Sequence, residues 1–355
     1  MNRFSLIVVA MLLGCVACTH TKRREYKGVS NLSDYSLSGR VKACTSFYYK
    51  HQDAYNHFSG DSVRKDDLIL VISECLFFDE EEKLTFETSY NIDGYSIETS
   101  YAYDNRGRLT EKYSVEGGDS CQRREIHCYD KKGRRMETYV RDQEDKQVSR
   151  IEYAYDEEQR LVEEVAYSEM DVVMSRIAYT FGEEGNLTKT LTCTDEDNPT
   201  IEVVYNYDAN QRLINLNEKM TNGCRKTVYD YDDQGLLLEE RMYSDERGGE
   251  FVLERVKKFS YNDLQQKLEE SLYDLSEDGT LILFEQTNYR YDENDYLIEK
   301  STGNEIVGQK TMRTILYEYD EKGNWIKSIE KYTFGGEQTS SRLLSFITRN
   351  IEYYE

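Results

Sequence analysis

Proline is nearly absent: Pro199 stands alone in 355 residues. Disordered chains are rich in proline and poor in aromatics. This chain has 31 Tyr and an apolar fraction of 38%, so it can bury a core. Histidine is scarce, with four in all and His20 close to the start, and no Ser-His-Asp or Cys-His arrangement is supported. No Gly-rich phosphate-cradling loop leads into a helix. Positive charge is in deficit, 45 Lys+Arg against 68 Asp+Glu, a formal balance of −23. Nucleic-acid phosphates need a cationic face, so no nucleic-acid partner is expected. Length alone admits one or two domains.

Long apolar runs are missing too. Arg3 precedes a stretch from Phe4 to Leu13, too short to cross a hydrocarbon layer about 30 Å thick. A basic start, a short apolar stretch and a small residue before the cut describe a secretory signal peptide over residues 1–14. Leu12-Leu13-Gly14-Cys15 resembles a bacterial lipobox, which makes Cys15 the expected lipidation site and Cys18 the alternative. Residues 15–35 read as a lipidated polar tether, giving the chain a membrane partner through its N-terminus. Lipoproteins exported to the surface in the Bacteroidetes group resemble one another in an acidic pair after the lipidated Cys. Lys22-Arg23-Arg24 follows here, which favours the outer membrane's periplasmic face over the cell surface.

The body of the chain is a repeat. With Tyr101-Ala102-Tyr103-Asp104-Asn105-Arg106-Gly107-Arg108-Leu109 as template, the Asp position recurs at Asp79, Asp104, Asp130, Asp156, Gly182, Asp208, Asp232, Asn262, Asp292 and Asp320. The steps are 25, 26, 26, 26, 26, 24, 30, 30 and 28 residues. The preceding residue is aromatic every time, from Phe78 and Tyr103 to Tyr291 and Tyr319, and the slot two further back is mostly aromatic. Five positions after the Asp comes Leu or Trp325, with Arg135 and Lys267 departing. Apolar residues at i and i+2 are strand periodicity. Asp at the first and Gly at the fourth position of a turn fit a type I turn closed by a left-handed residue. Gln159, Gln211 and Gln265 replace that Gly, and a left-handed non-Gly residue costs about 1–2 kcal/mol, so a different turn is expected there.

Each period therefore reads as one hairpin, and ten hairpins give about twenty strands. The expected fold is all-β: an antiparallel meander of about ten YD-type β-hairpin repeats curled into an elongated or shell-like sheet. One face carries the aromatic ladder, and the slot between the rings, from Ala102 to Glu318, makes the other face wet. Residues 36–70 are expected to be N-terminal capping strands, 71–335 the repeats, and 336–355 a C-terminal capping strand. A propeller would need a period of about 40–45 residues. A membrane β-barrel would need apolar outward slots, where Asp230, Arg290 and Glu318 stand.

The string Tyr-x-Tyr-Asp-x-x-Gly-Arg-Leu resembles the YD repeat of the RHS family over about residues 70–335. Tyr317 to Trp325 resembles the closing repeat of lipid-anchored YD proteins from gut Bacteroidetes. In large RHS proteins the resemblance implies a hollow β-shell around a cleaved toxin; no toxin domain follows residue 355 here. For some members it implies carbohydrate binding. The expected role is thus a non-enzymatic envelope lipoprotein acting as a binding or scaffold protein, the alternative a surface that stacks Tyr on glycans; a glycan or a protein is the candidate partner.

No catalytic residue and no cofactor is assigned. The ladder rings read first as the packed side of the sheet, so a ligand-binding ring is sought among those that break the pattern, such as Tyr296. Cys121, His127 and Cys128 lack zinc spacing. Asp79-Glu80-Glu81-Glu82 and Asp195-Glu196-Asp197-Asn198 lack a Ca²⁺-loop pattern. Six cysteines beyond the anchor region allow fifteen complete pairings, with Cys121–Cys128 the first guess because it is closest in sequence.

Overall fold

The computed structural model describes Tyr35 and residues 37–51, 68–117, 121–194, 199–245, 250–276, 278–304, 309–335 and 340–355. Cys15 and Cys18 with the signal peptide, nearly all of the tether, and Asp195 to Asn198 lie outside these. Twenty-two strands follow one another: β1 (Val41–His51), β2 (Leu68–Phe78), β3 (Leu84–Asn91), β4 (Ser96–Tyr103), β5 (Leu109–Glu116), β6 (Cys121–Tyr129), β7 (Arg135–Arg141), β8 (Gln147–Tyr155), β9 (Leu161–Ser168), β10 (Val173–Phe181) and β11 (Leu187–Cys193). The second half comprises β12 (Pro199–Tyr207), β13 (Leu213–Met220), β14 (Gly223–Tyr231), β15 (Leu237–Asp245), β16 (Val252–Tyr261), β17 (Lys267–Leu275), β18 (Leu281–Tyr291), β19 (Leu297–Asn304), β20 (Gln309–Tyr319), β21 (Trp325–Gly335) and β22 (Ser340–Tyr353). The ten repeats supply β2 to β21, one hairpin each.

Every strand pairs antiparallel with its sequence neighbours, and the expected partners meet across a bulge: Tyr103 with Leu109, Tyr155 with Leu161, Tyr319 with Trp325. The expectation of an open, elongated or shell-like sheet is corrected at its ends. The two flanking strands do not cap separate edges; β1 pairs with β22, Cys44 opposite Ile351 and Tyr48 opposite Ile347, as well as with β2. The meander closes into a 22-stranded barrel. Closure satisfies the two rows of N–H and C=O groups that an open sheet would leave unpaired, and so removes its edges.

The turns carry a second correction. The Gly107 N–H donates to the Asp104 carbonyl at 2.9 Å, and the Asp104 carboxylate accepts the N–H groups of Arg106 and Arg108 at 2.9 and 3.0 Å. Gln159, Gln211 and Gln265 do not change the turn: their φ values are 67°, 62° and 63°, and each N–H donates to the corresponding Asp156, Asp208 or Asn262 carbonyl. The side-chain carboxylate or amide at the first position, together with the flanking strand pairs, fixes the left-handed geometry even where no Gly relieves it.

The two faces differ as the alternation predicts. Ala102, Ala154, Thr180, Asn206, Asp230, Ser260, Arg290 and Glu318 are all exposed, while the flanking ladder residues are half-buried or buried. The exposed face is crossed by ion pairs such as Arg290–Glu299 at 2.9 Å, a face unsuited to hydrocarbon. Most ladder rings are half-buried, with Phe78 and Tyr205 buried. A compact apolar cluster forms at the seam, from Leu37, Val41, Cys44, Phe78 and Leu84 with Leu76, Tyr101, Ile351 and Tyr353 packed on it.

The pleat also overturns the first-guess disulfide. Cys121 and Cys128 lie on one strand, seven residues or about 23 Å apart, far beyond disulfide reach. Cys128 is a free thiol, as are Cys44, Cys75, Cys193 and Cys224. No helix among the described residues is long and apolar enough to cross a membrane.

Candidate functional site

The repeat's Arg, four positions after its Asp, ties adjacent hairpins together. Arg108 Nε donates to the Asp104 carboxylate at 2.7 Å, and its guanidinium lies 4.5 Å from the centroid of Tyr129 in the next repeat. Arg134 joins Asp130 to Tyr155, Arg160 joins Asp156 to Phe181, and Arg212 joins Asp208 to Tyr231 in the same way. Hydrogen bonding to Arg108 lowers the Asp104 carboxyl to about 2. The ring just before each turn also supplies a hydroxyl, stacked under an Arg or not: Tyr129 donates to the Leu109 carbonyl at 2.7 Å, Tyr155 to that of Arg135, Tyr207 to Leu187, Tyr231 to Leu213 and Tyr261 to Leu237. These rings are therefore structural. Their hydroxyls fasten each hairpin to the one before it.

Arg fills this slot in four of the ten repeats, at Arg108, Arg134, Arg160 and Arg212, and other residues fill it in the rest, including the last two. In one, Tyr296 stands there and packs at 5.4 Å on Tyr319, whose hydroxyl donates to Asp292. In the closing repeat it is Asn324, only 1% exposed. Its amide donates to the Ser38 carbonyl at 2.8 Å and to the Tyr353 hydroxyl at 2.7 Å, and its oxygen accepts the Ser38 N–H at 2.7 Å. The slot that links repeats elsewhere thus fastens the chain's two ends here.

Tyr296, the one ring singled out in the sequence, sits in an aromatic cluster. Tyr317 lies 5.3 Å from it, and Trp325 lies 5.9 Å from Tyr317. Arg349 stacks on the indole, 3.4 Å from its centroid. Tyr296 and Tyr317 have no hydrogen-bonded hydroxyl among the described residues, and burial raises both phenols. Arg349 is a residue that sequence reasoning missed, since β22 carries no repeat motif to mark it. Arg349 and Glu74 flank Ser46 in one cross-strand row, Arg349 paired with Ser46 and Ser46 with Glu74. Two strand spacings, about 9.6 Å, separate their backbones, and Glu74, whose charge acts on Arg349, accepts the Tyr48 hydroxyl at 2.6 Å. Arg349 forms no ion pair among the described residues, and its Nε and Nη1 are enclosed without a hydrogen-bond partner. Burial lowers its pKa, opposed chiefly by Cys44 and Tyr48.

The other sequence candidates come apart. His127 and Cys128 are adjacent on a strand and so point to opposite faces. His127 is buried, with Nδ1 3.0 Å from the Thr138 hydroxyl, and burial pushes it down to about 4, with Arg135 adding to the shift. Asp79 holds its own turn, accepting the Glu81 and Lys83 N–H groups at 2.9 Å each. Among the described residues no group of three or more His, Cys, Asp or Glu side chains converges as metal ligands.

No family model matches the chain, and no curated protein does. Several solved structures align with the chain at low identity. The structure titled TcdB2-TccC3-Cdc42 aligns over 90% of this chain at 14% identity with a TM-score of 0.45; the chain spans only 18% of that chain's length. A porin-like protein from Bacteroides uniformis aligns over 88% of this chain and 96% of its own at 9% identity, TM-score 0.27. A DUF3836 family protein from Bacteroides vulgatus covers 32% of this chain and 96% of its own at 13% identity, TM-score 0.19.

Proposed function

We propose that the chain is a non-enzymatic, lipid-anchored cell-envelope protein of YD-repeat type, whose closed barrel is a binding scaffold. One observation carries this reading: rings such as Tyr129, Tyr155 and Tyr231 are bound into the structure through their hydroxyls, while Tyr296 and Tyr317 pack together beside Trp325 with no hydroxyl partner among the described residues. A flat apolar ring bearing a free hydroxyl suits stacking on a sugar or clasping a peptide. The Leu12-Leu13-Gly14-Cys15 sequence supports the anchor at Cys15, with Cys18 as the alternative, and Lys22-Arg23-Arg24 supports the periplasmic face of the outer membrane. The abundance of ion pairs on the outward slots supports a barrel that stands in water and is tethered by its lipid.

Two experiments test the reading. Palmitate labelling of the full-length chain in a bacterial host should mark it and send it to the outer-membrane fraction, and Cys15→Ser should abolish both. An unlabelled, fully soluble protein overturns the anchor. The purified barrel screened on a glycan and peptide array should bind at least one ligand, and Tyr296→Ala should weaken that binding; an array with no binder, or hydrolysis of the arrayed ligands, overturns the scaffold.

A further inference from the structure

We infer that Arg349 and Trp325 form a carboxylate site, whose ligand bears its carboxylate on a ring with an apolar face. The inference rests on the scaffold reading above and gives its aromatic cluster a ligand class.

A guanidinium withdrawn from water keeps its charge and needs acceptors for its N–H groups. Arg349 has none at Nε and Nη1 among the described residues. The carboxylate in its own row, Glu74, is held by the Tyr48 hydroxyl, and Ser46 lies between them. The cation instead lies flat on Trp325. Elsewhere in the barrel a half-buried arginine of the repeat comes with its acid, Arg108 with Asp104 and Arg134 with Asp130. Arg349 has no ion pair among the described residues, with Glu74 acting on it only through charge at longer range, and an external carboxylate supplies the missing acceptor. The planar fork of Arg suits bidentate contact with a carboxylate. Tyr296 and Tyr317, packed with tilted rings next to the indole, offer ring faces to the ligand's body and, to its polar edge, two hydroxyls without a partner among the described residues. Ring and charge together define the class: a hexuronic acid or an aromatic carboxylate.

Trp325 is the only tryptophan in the chain, so intrinsic fluorescence reports the site directly. Glucuronate and benzoate are titrated in parallel into the full chain, with glucose and methyl glucuronate ester as neutral controls. A saturable change with a carboxylate and none with its neutral counterpart is expected; glucuronate alone identifies a sugar acid, benzoate alone an aromatic acid. Arg349→Met should weaken binding by about tenfold or more, as loss of a charged hydrogen-bonding partner implies, with Arg349→Lys between. If neither acid alters the emission, or the ester binds as well as the acid, the assignment is overturned. The ester comparison uses the wild-type protein and decides the matter even if Arg349→Met fails to fold. A barrel that binds arrayed neutral glycans through Tyr296 while ignoring both acids overturns the carboxylate site alone and leaves the scaffold standing.

Discussion

Asn324 is where closing the barrel can be tested by one substitution. Its side chain makes three hydrogen bonds of 2.7–2.8 Å, two to the Ser38 backbone and one to the Tyr353 hydroxyl, at 1% exposure. Asn324→Ala removes all three and leaves the Ser38 N–H and C=O to water, because Ser38 is exposed. Each lost bond is worth about 1 kcal/mol net, so the expected loss is about 3 kcal/mol. At roughly 2 °C per kcal/mol for a domain of this size, the thermal midpoint should fall by about 6 °C. The natural control is Asn186→Ala, the same residue type in the same slot of an internal, more accessible repeat; it should cost under about 1 kcal/mol. Hydrogen exchange should then show faster exchange in β1 and β22 than in β12 to β15, because only the seam joins strands remote in sequence. Freed seam edges should also promote association at high concentration. A loss below about 1 kcal/mol, or exchange rising evenly around the ring, would refute the view that Asn324 pins the seam.

Three further outcomes follow from the repeat. Replacing Gln159, Gln211 or Gln265 by Gly should stabilise by about 1 kcal/mol each, nearly additively because the turns are far apart, and a lower denaturation midpoint would contradict the left-handed assignment. Tyr155→Phe should cost about 1 kcal/mol through loss of the hydroxyl bond to the Arg135 carbonyl, whereas Phe181→Tyr should be neutral or stabilising by up to about 1 kcal/mol; equal losses would show that the hydroxyls do not fasten the hairpins. His127 is depressed from 6.5 to about 4. The unfolded chain therefore takes up its proton first as pH falls, so this group's destabilisation grows from pH 6.5 down to about 4 and then levels off. His127→Phe should flatten the wild-type decline in midpoint across that window, by up to about 3 kcal/mol at its acid end. Parallel pH profiles would refute this.

Much of the fold was legible because the repeat states it locally. Period-2 aromatics set the strands, Asp and Gly set the turns, and the Tyr103–Leu109 pairing was predictable from the bulge. The Arg in the repeat was visible, but its partners were not: Arg108 reaches Asp104 in its own turn and Tyr129 some twenty residues away. Only the stacking of neighbouring hairpins brings those groups together. The Gln turns misled because intrinsic left-handed cost was weighed alone, whereas the strand pairs on both sides and the Asp side chain hold the turn regardless of its fourth residue. Cys121 and Cys128 misled for the opposite reason, since closeness in sequence along an extended strand is distance in space.

Closure is the feature that local reasoning could not reach, and it decides where a functional site can lie. Pairing β1 with β22 joins positions about 300 residues apart, a contact that no periodicity in the intervening chain announces. The same joining puts Arg349 of β22 in one row with Ser46 of β1 and Glu74 of β2, and against Trp325 of β21. An arginine in an internal repeat meets its acid four residues back in its own turn. At the seam the strand comes from outside the repeat array, no such acid precedes Arg349, and its row neighbour Glu74 is already bonded to Tyr48. The unpaired guanidinium is thus a direct consequence of closing a repetitive sheet with a non-repetitive strand. A closed ring of near-identical hairpins offers few places where chemistry departs from the repeat, and the seam also brings together the indole and two phenols without a hydroxyl partner among the described residues.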